Sequence, residues 1–162
     1  MKPKFIITGM ARHGKDETCR IFQQLGGFRF RSSSEIANEL VVYSKLKDKY
    51  AYSSLEECFN DRINHRKDWF DLIVEFNQPL HKLGSLIFEK NDIYCGLRNR
   101  EELLAIRQHV NIAATIWIDA SERVESLEDS SSITITPEDC DLIIYNNGTI
   151  KELEASIINL LF

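Results

Sequence analysis

Apolar positions come in two rhythms along this chain, and the alternation between them predicts its elements. Phe5-Ile6-Ile7 is a short continuous apolar run, the mark of a strand buried on both faces. After a small and polar stretch, Cys19, Ile21, Phe22 and Leu25 recur at helical spacing, and Gly26-Gly27 ends that helix. Phe28 and Phe30 alternate with Arg29 and Arg31 as a second strand, delivering Ser32-Ser33-Ser34 at its end, one of which can cap the next helix. Residues 35–90 read as mostly helical, with apolar sets at Ile36, Leu40 and Val41, at Leu55, Cys58, Phe59 and Ile63, and from Trp69 to Phe76. Pro79 breaks the run, and Leu80–Glu89 forms one more helix. A third strand follows at Asp92–Arg98, then a helix over Arg100–His109 capped by Asn99 with Glu101 and Glu102 in its first turn. Ala113–Ile118 is a strongly apolar fourth strand, and 124–134 is a Ser- and acid-rich loop. Asp141–Tyr145 is a fifth strand, and after Asn146-Asn147-Gly148 the residue Thr149 caps a last amphipathic helix. Strands alternating with helices predict an α/β fold: a three-layer α/β/α sandwich with a five-stranded parallel sheet. The expected organisation is one domain over 1–162, with a helical insertion at about 35–90 and a short lid at about 120–136.

Composition narrows the picture only a little. The chain is 43% hydrophobic and 28% charged, ordinary for a globular domain able to bury a core. No apolar stretch approaches the roughly 18 residues of a membrane span, and the first residues lead straight into a strand, so neither membrane nor signal peptide is expected. Cys19, Cys58, Cys95 and Cys140 are scattered without a C-x-x-C pair, which points to reduced thiols and a cytoplasmic location. A net charge of −5 argues against a broad nucleic-acid surface but leaves a local basic groove open. Nothing fixes an oligomeric state, and a dimer is compatible with the sequence.

The chemistry concentrates after the first strand, in Gly9-x-x-x-x-Gly14-Lys15. Strand, glycine-framed loop, lysine and helix is the context of a phosphate-binding P-loop. Gly9 and Gly14 permit backbone angles that turn successive N–H groups towards one anion at the positive end of the helix dipole. Lys15 is placed for the β- and γ-phosphates of ATP. The next position usually carries Ser or Thr for Mg²⁺; here it is Asp16, with Thr18 two residues on. Asp16 either acts as a hard oxygen ligand for the metal or only favours the helix N-terminus.

Other candidates lie at the carboxyl ends of the predicted strands, where open α/β sheets bind ligands. Ser32, Ser33 and Ser34 exceed what one helix cap requires. Arg62 and Arg66, four apart on one expected helix with His65 between and Trp69 a turn beyond, suit a phosphate beside a base; the competing reading is a solvated face paired with Glu57, Asp61 and Asp68. Arg98 either pairs with the transferred phosphate or bridges to Glu101 or Glu102. Arg123, at the base of the lid, can reach over ATP. Asp119 and His65 are the candidate bases if the acceptor is a hydroxyl.

Gly9-Met-Ala-Arg-His-Gly-Lys-Asp-Glu-Thr18 resembles the Gly-x-x-x-x-Gly-Lys-Asp-x-Thr loop of phage deoxynucleoside monophosphate kinases. The segment from Cys140 to Leu153 is similar to that family's final strand, turn and helix, and Gly96-Leu-Arg-Asn-Arg-Glu-Glu102 to a motif of related small kinases. The resemblance implies a P-loop nucleoside-kinase-like fold using ATP and Mg²⁺. Arg12, His13, Gly14, Lys15 and Asp16 would hold ATP and metal, with Glu17 beside them and Asn146-Asn147-Gly148 near the adenine. The acceptor-binding part would be the helical insertion, and the acceptor a deoxynucleotide. Two departures stand out: acceptor and lid regions look reduced, and the third strand carries Tyr94-Cys95-Gly96 where many P-loop kinases place a metal-associated Asp. Ser32–Glu35 with Asn64-His65-Arg66 and Trp69 also resembles phage kinases that phosphorylate 5-hydroxymethyluracil within DNA, which would make DNA containing a modified pyrimidine the partner. A nucleotide-binding regulator without transfer activity is the rival class.

Overall fold

The structure, a computed structural model, describes residues 1–125 and 133–162. Its strands are β1 (Phe5–Thr8), β2 (Phe30–Ser32), β3 (Ile93–Cys95), β4 (Ala114–Asp119) and β5 (Leu142–Tyr145). They form one five-stranded sheet in the order β2-β3-β1-β4-β5, and every pairing is parallel. β1 occupies the centre, so the loop that follows it emerges between the ends of β3 and β4.

The expected period of two places the core on both faces of the sheet. Phe5, Ile7, Ile93, Cys95, Ile116 and Ile118 pack to one side against α1 (Lys15–Gly26) and α8 (Ile150–Leu161). Ile6, Tyr94 and Trp117 point to the other side, against α6 (Lys82–Lys90) and α7 (Arg100–His109). Phe5, Phe22 and Phe28 close the first face as an edge-to-face trio with centroids 5.4–5.6 Å apart. The helix boundaries follow their caps. Gly27, at φ 62°, ends α1 with its N–H on Gln23 O, Asn99 Oδ1 accepts from Glu102 N to open α7, and Thr149 and Glu152 form a reciprocal box at α8.

Between β2 and β3 the chain builds the helical insertion: α2 (Ser33–Ala37), one π turn (Asn38–Val42), α3 (Tyr43–Leu46), α4 (Leu55–Asn60), a 3-10 turn (Asp61–Asn64) and α5 (Arg66–Phe76), before α6. It has its own small core of Val41, Val42, Leu46, Tyr52, Cys58 and Trp69. Two expectations are corrected here. Arg62 and Arg66 do not share one helix, because His65 leaves helical angles (φ −133°, ψ 39°) between the 3-10 turn and α5. Trp69, expected beside a base, is 5% exposed and packs edge-on to Phe59 inside the insertion.

Asp92 belongs to the frame. It lies at the amino end of β3, where its carboxylate takes the backbone N–H of Arg29 at 2.8 Å and both ends of the guanidinium at 3.2 Å. Burial alone would raise this carboxyl, but the Arg29 hydrogen bonds outweigh it and hold it below the ordinary range. A depressed folded-state value stabilises above the unfolded value of about 3.9 and is lost as pH falls through the folded one. Asp92→Asn is therefore expected to melt below the wild type at pH 7, and the gap in Tm should close as acid melts are taken down through the depressed folded-state range. A gap that persists unchanged into that acid range would remove the electrostatic account.

Candidate active site

Residues 9–18 build an anion cradle from backbone. Gly9 has φ 146°, and a Cβ there would sit 2.5 Å from Ile118 O in β4; Gly14, at φ 94°, leaves no room because a Cβ would lie 2.4 Å from Asn146 Nδ2. Arg12 between them adopts φ 64°, a left-handed conformation that non-glycine residues hold only when their surroundings impose it. Gly14 opens α1 without a side-chain cap, so the positive end of the helix is left to an external anion. Lys15 Nζ lies over the loop, bonding Gly9 O and Met10 O at 2.8 Å each.

The loop is bolted from below. Ala120 N donates to His13 Nδ1 at 3.0 Å, and Asn146 Nδ2 donates to His13 O at 3.0 Å. The His13 ring is buried and braces the loop through its bond from Ala120 N. The turn Asn146-Asn147-Gly148, expected near the adenine, divides its work: Asn147 Oδ1 accepts from Glu122 N, and Asn146, buried beside Gly14, carries the clamp. Thr8 Oγ1 donates to Leu97 O at 2.5 Å, tying the mouth of the loop to the end of β3.

Two hollows flank the cradle. On the β5 side, Gly14, Glu17, Arg123, Asn146, Gly148, Ile150 and Leu153 line a depression of about 310 Å³. Arg123 is fixed there by Nε donating to Asn146 O at 2.6 Å, against Gly14, so it stands on this side of the loop. Glu17 pairs with Arg20 at 3.1 Å. On the β3 side a deeper pocket of about 560 Å³ opens between α5 and α7, within the usual range for a small ligand. Phe70, Ile73, Val74 and Leu80 are its apolar wall, Gly96, Arg98, Asn99 and Thr134 its mouth, and Tyr94, Asn77 and Glu102 its polar floor. The described ends of the expected lid reach both hollows: Arg123 at one, and Thr134 and Ile135, whose N–H groups bond Arg98 O, at the other. Residues 126–132 of the lid lie outside the described residues.

The remaining candidates divide. Ser32 pairs in register with Cys95 at the end of β3, and Ser33 Oγ comes within 3.9 Å of a Cβ built on Gly96, a residue that lines the pocket. Ser32, in the cap position of α2, makes no side-chain cap. Arg66, exposed at the start of α5, precedes Phe70 by one turn and shares its face. Arg62 and His65 are absorbed by the insertion: the guanidinium lies 3.9 Å over Phe59, and the imidazole stacks on Tyr50 and bonds Asp61 at 3.0 Å. The aromatic that faces the pocket is Phe70, 67% exposed. Its spacing to Ile73, Val74 and Asn77 was the available signal. Asp119 accepts from Ser121 N at 2.8 Å, and that bonding holds its carboxyl below the ordinary range, which makes it a weak base at neutral pH.

The donor set suits a hard cation. Thr18 Oγ1 is buried and bonded to Gly14 O at 2.8 Å, so it is turned away from the loop's ligand face. Asp16 is exposed in the first turn of α1, its Oδ1 taking a weak thiol bond from Cys95 Sγ at 3.5 Å. One carboxylate beside bound phosphates is the usual protein share of a Mg²⁺ site. Among the described residues no cluster of three or more His, Cys, Asp or Glu forms a metal site of its own.

Comparison with solved structures finds a likeness in fold. Shikimate kinase from Aquifex aeolicus vf5 aligns over 98% of this chain and 95% of its own, with a TM-score of 0.50 and 14% sequence identity. The fold is P-loop kinase-like. No protein-family profile and no curated protein matches the chain. Among the described residues no helix is long and apolar enough to cross a membrane.

Proposed function

We propose that this protein is an ATP- and Mg²⁺-dependent phosphotransferase acting on a deoxynucleotide, in the manner of a deoxynucleoside monophosphate kinase. One observation carries the reading: a P-loop lies between two hollows, one bounded by Gly14 and Asn146, the other by Gly96 and Arg98. A nucleoside triphosphate lying along the loop would put its base in the first and its terminal phosphate at the second. There Lys15 and the loop amides hold the β/γ oxygens, and Arg98 offsets charge that develops during transfer. Asp16 would hold Mg²⁺, which supplies charge neutralisation at the phosphates. Ser33, close to Gly96, and Arg66, one turn before Phe70, are the residues that would meet the acceptor's phosphate. A monophosphate acceptor brings its own nucleophilic oxygen, which agrees with the weak basicity of Asp119.

Exposed Phe70, Val74 and Ile63 on the insertion favour a second reading, a kinase for 5-hydroxymethyluracil within DNA, since an apolar lip suits a base presented by a polymer. The deciding experiment is transfer of label from γ-labelled ATP, offered the four deoxynucleoside monophosphates and, separately, a duplex containing 5-hydroxymethyluracil. Label on a mononucleotide is expected. Label on the duplex alone would move the assignment to the second reading, and ATP binding with no labelled product would leave a nucleotide-binding regulator.

A further inference from the structure

The β3-side pocket has a floor that phosphate transfer does not use. Glu102, one turn into α7, is half-buried beneath Phe70, Ile73 and Val74. Its Oε1 accepts from Tyr94 OH at 3.0 Å, and the Asn77 amide bonds the same carboxyl. Asn77 is itself pinned, with Oδ1 accepting from Leu83 N at 2.8 Å. Both neighbours are thus oriented by the frame, and the carboxyl is held towards the cavity. A carboxylate offers about four lone-pair sites, so roughly half remain for a ligand.

We propose that Glu102 is the specificity-determining residue of the acceptor pocket, accepting N–H bonds from the edge of a nucleobase lodged against Phe70. This inference rests on the proposed kinase function. An acceptor-only group selects among bases by what sits opposite it. Guanine presents adjacent N1–H and N2–H donors that match a carboxylate's fork, and thymine and uracil present N3–H. Cytosine and adenine place a lone pair beside their amino group, which repels one carboxylate oxygen. The order expected of an ionised Glu102 is dGMP, then dTMP, ahead of dCMP and dAMP. Tyr94 from β3 and Arg98 from the β3–α7 connection are the other ionisable groups lining the cavity among the described residues, and α5 contributes none. Burial pushes the Glu102 carboxyl up to about 7, against the pull of its Tyr94 and Asn77 bonds, so the ranking belongs to pH 8.

The test is calorimetric titration of the four deoxynucleoside monophosphates into the wild type, Glu102→Gln and Phe70→Ala at pH 8, with label transfer run on the same samples. Wild type should show the stated order. Glu102→Gln should weaken dGMP binding by about 10- to 100-fold and flatten the order, while Phe70→Ala, at an exposed position, should weaken all four together and keep it. An order unchanged in Glu102→Gln, a different order in the wild type, or no binding of any of the four overturns the inference. Transfer activity that survives those outcomes leaves the kinase reading in place, whereas absence of ATP binding removes the reading itself.

Discussion

Replacing Lys15 with methionine is expected to lower phosphoryl transfer by at least roughly 10²–10³-fold, the usual loss when one preorganised donor is removed from a developing charge. The expected defect is specific because the side chain's charge sits where phosphate would bind. Its ammonium bonds Gly9 O and Met10 O, two carbonyls on the ligand face of the loop, and a nucleotide would draw it from them onto phosphate. Methionine keeps the apolar stem and removes the charge. The Tm of Lys15→Met should therefore match the wild type, while turnover collapses. Retained turnover would contradict the placement of the phosphates in the loop. A fall in Tm of many degrees would mean that the lysine braces the apo loop more than its contacts suggest.

The largest stability effect is expected from Phe22→Ala. Phe22 is 0% exposed and meets both Phe5 and Phe28 edge-on, at 5.4 and 5.6 Å. Truncation opens a void between α1 and the sheet that rigid neighbours cannot fill, and such changes cost about 3–5 kcal/mol. For a domain of this size each kcal/mol moves Tm by roughly 2–4 °C, so a drop of about 6–20 °C should appear in a thermal melt. Because α1 carries Lys15 and Asp16 in its first turn, ATP affinity at a temperature near the new midpoint should fall with the folded fraction. A shift under about 2 °C would contradict the close packing of Phe22 between α1 and the sheet.

The P-loop was legible because its signal is local. Phe5 to Thr8, the glycines at 9 and 14, Lys15 and the helix after it are contiguous, and steric rules for glycine and helix ends act over a few residues. The β3-side pocket was legible only in part. Gly96 and Arg98, which line it, lie where a strand end marks a rim, but the spacing of Trp69 and Arg62 reads outward and the structure turns them inward. The reason is the break at His65. Hydrophobic spacing cannot tell which of two adjacent aromatics faces a neighbour once the helix restarts, and packing against Phe59 and Val42 made that choice for Trp69 over Phe70.

What the sequence by itself determined is therefore the set of elements and the loop: strands of period two, helices with caps at Asn99 and Thr149, and a backbone cradle that Gly9 and Gly14 permit. The tertiary structure decided everything that depends on non-neighbours. Strand order put β3 and β4 on either side of β1, which created two hollows beside one loop. Asn146 became the loop's clamp only because β5 ends beneath His13. Glu102, which in the sequence is an ordinary acid in a first helical turn, acquired a raised carboxyl because folding buries it, and that desolvation outweighs the hydrogen bonds from Tyr94 and Asn77. Local sterics are written in consecutive residues, whereas desolvation and hydrogen-bond partners across the sheet exist only once the chain has folded.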